Sequence, residues 1–145
     1  MSMAIRVRLR LKPRASEEVV EASALINTGF ETDGPQLLIP TRLASRLALY
    51  PPPPTSSIIE VGTAGGPSKV FLVREALDVW AVADDREVGP RLADALISPI
   101  EEEVLVNDKL TEELGIILLA AGSGRWRFVD DPADKVRYSE KPQYW

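Results

Sequence analysis

The sequence contains no cysteine and no histidine. Without cysteine there is no disulfide, no thiol nucleophile and no thiolate metal site. Without histidine neither Ser-His-Asp nor Cys-His catalysis can be assembled, and the commonest ligand of a catalytic zinc is missing. Long apolar runs are also lacking: none approaches the ~20 residues of a membrane span, and no leader-like pattern opens the chain. Basic stretches interleaved with aromatics are absent, and the net charge is −5, which argues against a nucleic-acid partner. These absences lead to the expectation of a soluble, cytoplasmic protein with no membrane partner. Neither a cofactor nor a metal is expected. The chemistry left open must use carboxylates, hydroxyls, lysines or a hard metal ion.

What is present suits one domain. The 145 residues are 45% hydrophobic, with charges dispersed rather than blocked, so a real core can form. From Ala4 to Lys12 the chain alternates strictly. Ile5, Val7, Leu9 and Leu11 fall on one face; Arg6, Arg8 and Arg10 fall on the other, read as a solvated face. A second strand is expected from about Glu18 to Ile26, ending in Ala24-Leu25-Ile26. Residues 27–36 hold two glycines, a proline and short polar side chains, a loop composition. Leu37-Leu38-Ile39 reads as a short buried strand, and Pro40-Thr41 as the start of a helix carrying Leu43, Ala44 and Leu47. Pro51 to Pro54 reads as a stiff spacer.

Ser57 to Val61 and Lys69 to about Ala83 flank a glycine-rich tip, which predicts a hairpin. The tip cannot be a phosphate loop, because no Gly-Lys-Ser/Thr ending and no helix follow it. Arg91 to Ile97 and Glu103 to Val106 are further strands. A helix is expected over Asp108 to Leu114, stopped by Gly115, and then a last hairpin from Ile116 to Val129. Residues 130–145 are polar, with two prolines and late aromatics, and read as a tail outside the core. The run Glu101-Glu102-Glu103 reads as solvated charge rather than a metal site, since its spacing is not that of a calcium loop. The fold class is all-β, a partly closed barrel with two short helices.

The stretch Ala24-Leu25-Ile26-Asn27-Thr28-Gly29-Phe30, followed by Leu37-Leu38-Ile39-Pro40, resembles the retropepsin-like aspartic proteases. Their signature is two apolar residues, Asp-Thr/Ser-Gly, a polar loop and a short hydrophobic strand. Val104-Leu105-Val106-Asn107-Asp108-Lys109-Leu110, with Glu112-Glu113-Leu114-Gly115, looks like their second motif, and Gly124-Arg125-Trp126-Arg127-Phe128 suits the closing strand of microbial members. The resemblance covers roughly residues 4–129. It implies a retropepsin-like barrel acting as a homodimer, with residues 130–145 as an appended tail. Each copy would bring one loop of Asn27, Thr28 and Gly29 to a shared site. A flap formed by Gly62, Thr63, Ala64, Gly65 and Gly66 would close over an extended peptide or protein segment.

The departures matter as much as the match. Asn27 stands where the family has its catalytic aspartate. A carboxamide keeps the shape of a carboxylate but cannot act as a base near neutral pH, and losing acid–base help costs about 10²–10⁴-fold in rate. Asn107 stands where the second motif has glycine, and Lys109 where the helix often carries an acid. Three readings follow: a catalytically silent homodimer that binds a peptide, an aspartic endopeptidase whose aspartate is replaced at position 27, or a structural assembly subunit. Nearby carboxylates, Glu31, Asp33 and Asp108, are read as loop solvation and helix N-terminal charge.

Overall fold

A computed structural model describes residues 4–27, 33–63 and 66–145. The elements follow in order: β1 (Arg6–Pro13), β2 (Val20–Ile26), β3 (Gln36–Pro40), α1 (Thr41–Arg46), β4 (Ser57–Thr63), β5 (Gly66–Val82), β6 (Glu87–Ser98), β7 (Val104–Val106), α2 (Asp108–Glu113), β8 (Ile116–Ala120), β9 (Arg125–Phe128) and β10 (Arg137–Tyr138). The strand pattern in the sequence is therefore realised as strand, and both helices form where the apolar spacing places them. Among the described residues, no helix is long and apolar enough to cross a membrane.

Seven strands form one sheet in the order β1-β2-β7-β3-β6-β5-β4, and β1 also pairs with β5. That last pairing closes the sheet on itself. The barrel has six strands and is closed, not partly closed as the sequence suggests. Closure satisfies the edges of β1 and β5, which an open sheet would leave unpaired. The connectivity repeats. β1 and β2 pair antiparallel, as do β5 and β6. Each pair is followed by a third strand, β3 or β7, that runs parallel to the second strand of the other half. The two third strands lie antiparallel at the centre, and each half ends in a short helix.

Alternation decides which side chains enter the barrel. Val7, Leu9 and Leu11 of β1, Leu37 and Ile39 of β3, Leu77 and Val79 of β5, and Ile97 of β6 are all fully buried in one core. Leu43, Ala44 and Leu47 of α1 and Leu110 and Leu114 around α2 join the same core. Each fully buried aliphatic side chain contributes about 1.5–3 kcal/mol, so these faces fix the register of the strands. The opposite face of the strands carries a second, smaller apolar cluster: Leu105 of β7, Leu38 of β3, Leu96 of β6, Val70 and Leu72 of β5, and Val61 of β4.

Two expectations change here. Arg6 does not sit on a solvated face. It is buried, and its guanidinium holds Glu103 through Nε at 2.6 Å and Nη2 at 3.1 Å. Arg8 and Arg10 do face outward, paired with Glu140, Glu21 and Glu87. Residues 130–145 do not hang outside the core either. β10 pairs with β9, Arg137 is buried, and Trp145 packs against the main core. Between them the backbone N–H of Glu140 donates to Arg6 O at 2.8 Å, and Ser23 donates through its hydroxyl to Lys141 O at 2.7 Å. The proline run ends in a turn closed by Ser56 N–H donating to Pro53 O at 2.9 Å, directly before β4.

Candidate functional site

The parallel pairing of β2 with β7 places the two sequence motifs side by side. Ile26 is in register with Val106, and the Asn27 N–H donates to Val106 O at 3.0 Å. Asn27 thus follows the last paired residue of β2, and Asn107 follows the last residue of β7. The two asparagines lie on adjacent strand ends, 80 positions apart in sequence. Asn27 is partly exposed, whereas Asn107 is fully buried. Thr28 and Gly29, the rest of the first motif, lie outside the described residues, as does Glu31; Asp33 is exposed.

Asn107 has a local reason to be asparagine. Its Oδ1 accepts from Leu110 N–H at 2.9 Å, the N-cap bond of α2, and also from Gln36 N–H at 3.1 Å. Its Nδ2 donates to Gly34 O at 2.7 Å. One side chain therefore caps the helix and ties the entry of β3 to it. A glycine could do none of this. Lys109 sits on the exposed face of α2.

Gln36 extends the network. Its Nε2 donates to Asp94 Oδ2 at 2.9 Å, and Asp94 Oδ1 accepts from Glu75 N–H at 2.7 Å. Glu75 has φ +49°, at the point where the β5–β6 register breaks between Val73 and Leu77. Asp94 thus satisfies a backbone donor that the bulge takes out of the ladder. Arg74 reaches its other oxygen at 3.4 Å. Both Asp94 oxygens are committed to holding strands together, so Asp94 is no stand-in for the absent carboxylate. Gln36 Oε1 is buried without a hydrogen-bond partner among the described residues. Asp94, Gln36 and the capping role of Asn107 were not singled out from sequence. The signal for Asn107 was present, an Asn immediately before a helical repeat. Asp94 and Gln36 carried none, because their pairing depends on strand neighbours 58 positions apart.

The hairpin expected from the glycine-rich tip exists. β4 and β5 pair antiparallel from Ser57↔Leu72 to Thr63↔Gly66, with Gly62 opposite Pro67. Gly62 is exposed, and Gly66 has φ +105°, a conformation glycine tolerates and other residues rarely adopt. Ala64 and Gly65 lie outside the described residues. The smaller apolar cluster runs from this hairpin across β6, β3 and β7 to Leu25 of β2, two residues before Asn27.

The chemistry this arrangement supports is limited by its groups. Amides donate and accept hydrogen bonds but do not titrate near neutral pH. Among the described residues, no cluster of three acidic groups is arranged to hold a metal ion. No protein-family model matches the chain, and no curated protein matches it.

Proposed function

We propose that the chain is a retropepsin-like subunit that pairs with a second copy and holds an extended peptide or protein segment without cutting it. The observation that carries this reading is the position of Asn27. It stands at the end of β2, hydrogen-bonded to β7 and next to the second motif, at one end of an apolar strip that leads to the β4–β5 hairpin. In a paired arrangement two such loops face each other. With aspartates they would share one proton, activate water and polarise the scissile carbonyl. With asparagines the two amides can exchange hydrogen bonds, yet neither removes a proton from water. Leu25 and Ile59, the partly exposed members of the strip, offer a bound strand apolar contact, and the hairpin offers a lid. β8 supports pairing too. Its outer edge has no strand partner among the described residues, and Leu118 and Leu119 on it are exposed, an edge on which a second copy can add a strand.

The test combines mass, binding and cleavage. The chain is expected to sediment as two copies, to bind members of an unstructured peptide library saturably by fluorescence anisotropy, and to leave them intact by mass spectrometry. Asn27→Asp is expected to gain cleavage between about pH 3 and pH 6, the range in which a carboxylate pair can share a proton. A chain that stays monomeric at tens of micromolar and retains no peptide would sink the proposal. Cleavage by the parent chain would replace it with the endopeptidase reading.

A further inference from the structure

Six of the twelve arginines are matched to carboxylates among the described residues. Arg6, Arg8, Arg10, Arg86 and Arg137 each have one at 3.0 Å or less. The two arginines of α1 are among the six that are not. Arg42 and Arg46 lie one helical turn apart on its exposed face and make no ion pair among the described residues. Glu101 and Glu102 likewise make no ion pair among the described residues, while their neighbour Glu103 is taken by Arg6.

The fold puts these open charges on one surface. At the start of α1, Thr41 donates its hydroxyl to Ser98 O at 3.3 Å, just before the loop that carries the glutamates. Trp145 N–H donates to Glu102 O at 2.9 Å from the other side. With Arg42, Ser45 and Arg46, Trp145 lines an open, largely apolar hollow of about 470 Å³. Beside Glu101 and Glu102 stand Ile100 and Tyr144, 67% and 64% exposed. The surface therefore has an apolar middle, two cations on one side and two anions on the other. Burial, together with the charges of Glu103 and Glu102, holds the Glu101 carboxyl above its ordinary range, so an opposing cation would relieve a cost already present.

We infer that this surface is a self-complementary interface between two copies of the chain, in which Ile100 and Tyr144 of each enter the Trp145 hollow of the other, and Glu101 and Glu102 meet Arg42 and Arg46. A two-fold rotation lays the anionic side on the cationic side twice over, and an interface of that kind needs both signs on one patch. A purely acidic or purely basic partner would match one side and be repelled by the other. The contact is separate from the pairing of Asn27 loops and adds to it.

The experiment is sedimentation equilibrium of the full chain at low and high salt, with circular dichroism to check the fold. The parent is expected to show an association step that high salt weakens. The double variants Arg42→Glu/Arg46→Glu and Glu101→Arg/Glu102→Arg should each lose that step, with the dissociation constant raised at least tenfold. An equimolar mixture of the two should regain it, because one copy then presents only anions and the other only cations. Peptide binding should be the same in all of them. A parent with no salt-sensitive step, or a mixture that fails to recover what each variant lost, would overturn the inference.

Discussion

Replacing Asn107 by alanine tests how the two motifs are held together. The substitution removes the α2 cap bond from Leu110 N–H, worth about 1 kcal/mol. It also leaves the buried Gln36 N–H without its acceptor, which costs about 1–3 kcal/mol. The bond from Nδ2 to Gly34 O goes as well. Asn107 is fully buried, so water has poor access to replace any of these. A loss of about 3 kcal/mol follows, or roughly 6–12 °C in Tm for a domain of this size. Thermal unfolding followed by circular dichroism, with urea midpoints alongside, reads it directly. Lys109→Ala, two residues away on the exposed side, is the control and should stay within about 0.5 kcal/mol. Asn107→Asp keeps the acceptor but sets an oxygen against Gly34 O and buries a charge, so it should fall near the alanine variant. An alanine variant within about 1 kcal/mol of the parent would refute the reasoning, because the cap and the β3 tie would then both be dispensable.

Two further perturbations probe other parts of the fold. Arg137 donates to Asp131 and Asp85, and its guanidinium lies 5.1 Å from the Phe128 ring centroid. Arg137→Met leaves the buried Asp131 carboxylate with only Arg86 and the Phe128 N–H as partners and should cost about 1–3 kcal/mol. The pH dependence has a definite sign. Hydrogen bonds from Arg137 hold the Asp131 and Asp85 carboxyls below their ordinary range. The stability they contribute is therefore complete above about pH 4–5 and is lost as pH falls through the carboxylate range toward the lowered values. Urea midpoints taken from pH 6 to pH 2.5 should decline in the parent and decline less steeply in Arg137→Met; parallel curves would count against the assignment. Gly89→Ala should be strongly destabilising, by about 2–3 kcal/mol, because φ there is +139° and a Cβ would come within 2.6 Å of Val79 O. A wild-type melting curve for that variant would contradict the geometry.

The local features were legible in the sequence because they rest on local physics. The alternation Ile5, Val7, Leu9, Leu11 needs only the two-residue period of a strand, and it places four side chains in the core as expected. Asn107-Asp108 opens a helix because the Asn107 side chain caps it, and Gly115, at φ +70°, ends it; α1 begins after Pro40 as expected, though without a side-chain cap. The hairpin followed from two β-rich runs around glycines. Barrel closure was not legible. It requires β1 to pair with β5 along Arg8↔Val82 through Pro13↔Leu77, strands more than 60 positions apart whose patterns would suit an open sheet equally well.

The same limit explains the two misread segments, and together they bear on the site. Arg6 has the same sequence pattern as Arg8 and Arg10, and nothing local marks it as buried. What buries it is the C-terminal segment, whose Ser139 hydroxyl accepts the Arg6 N–H at 2.8 Å and whose Glu140 N–H donates to Arg6 O. That segment looked like a tail because it is polar and carries prolines, but its polar groups are spent on the barrel. Arg137 forms a node with Asp131 and Asp85, Gln143 accepts from Ser23 N–H at 3.0 Å, and Trp145 seats its ring on the core. Polar composition separates solvated segments from packed ones only when the partners are solvent; here they include Arg8 of β1, Ser23 of β2 and Asp85. The consequence reaches Asn27. The segment that pins Arg6 also places Glu103 at the entry to β7 through the Arg6 pair, and β7 is the strand that receives the Asn27 N–H. Residues 130–145 therefore belong to the scaffold of the candidate site, and cutting them away should loosen the strand end on which Asn27 is held.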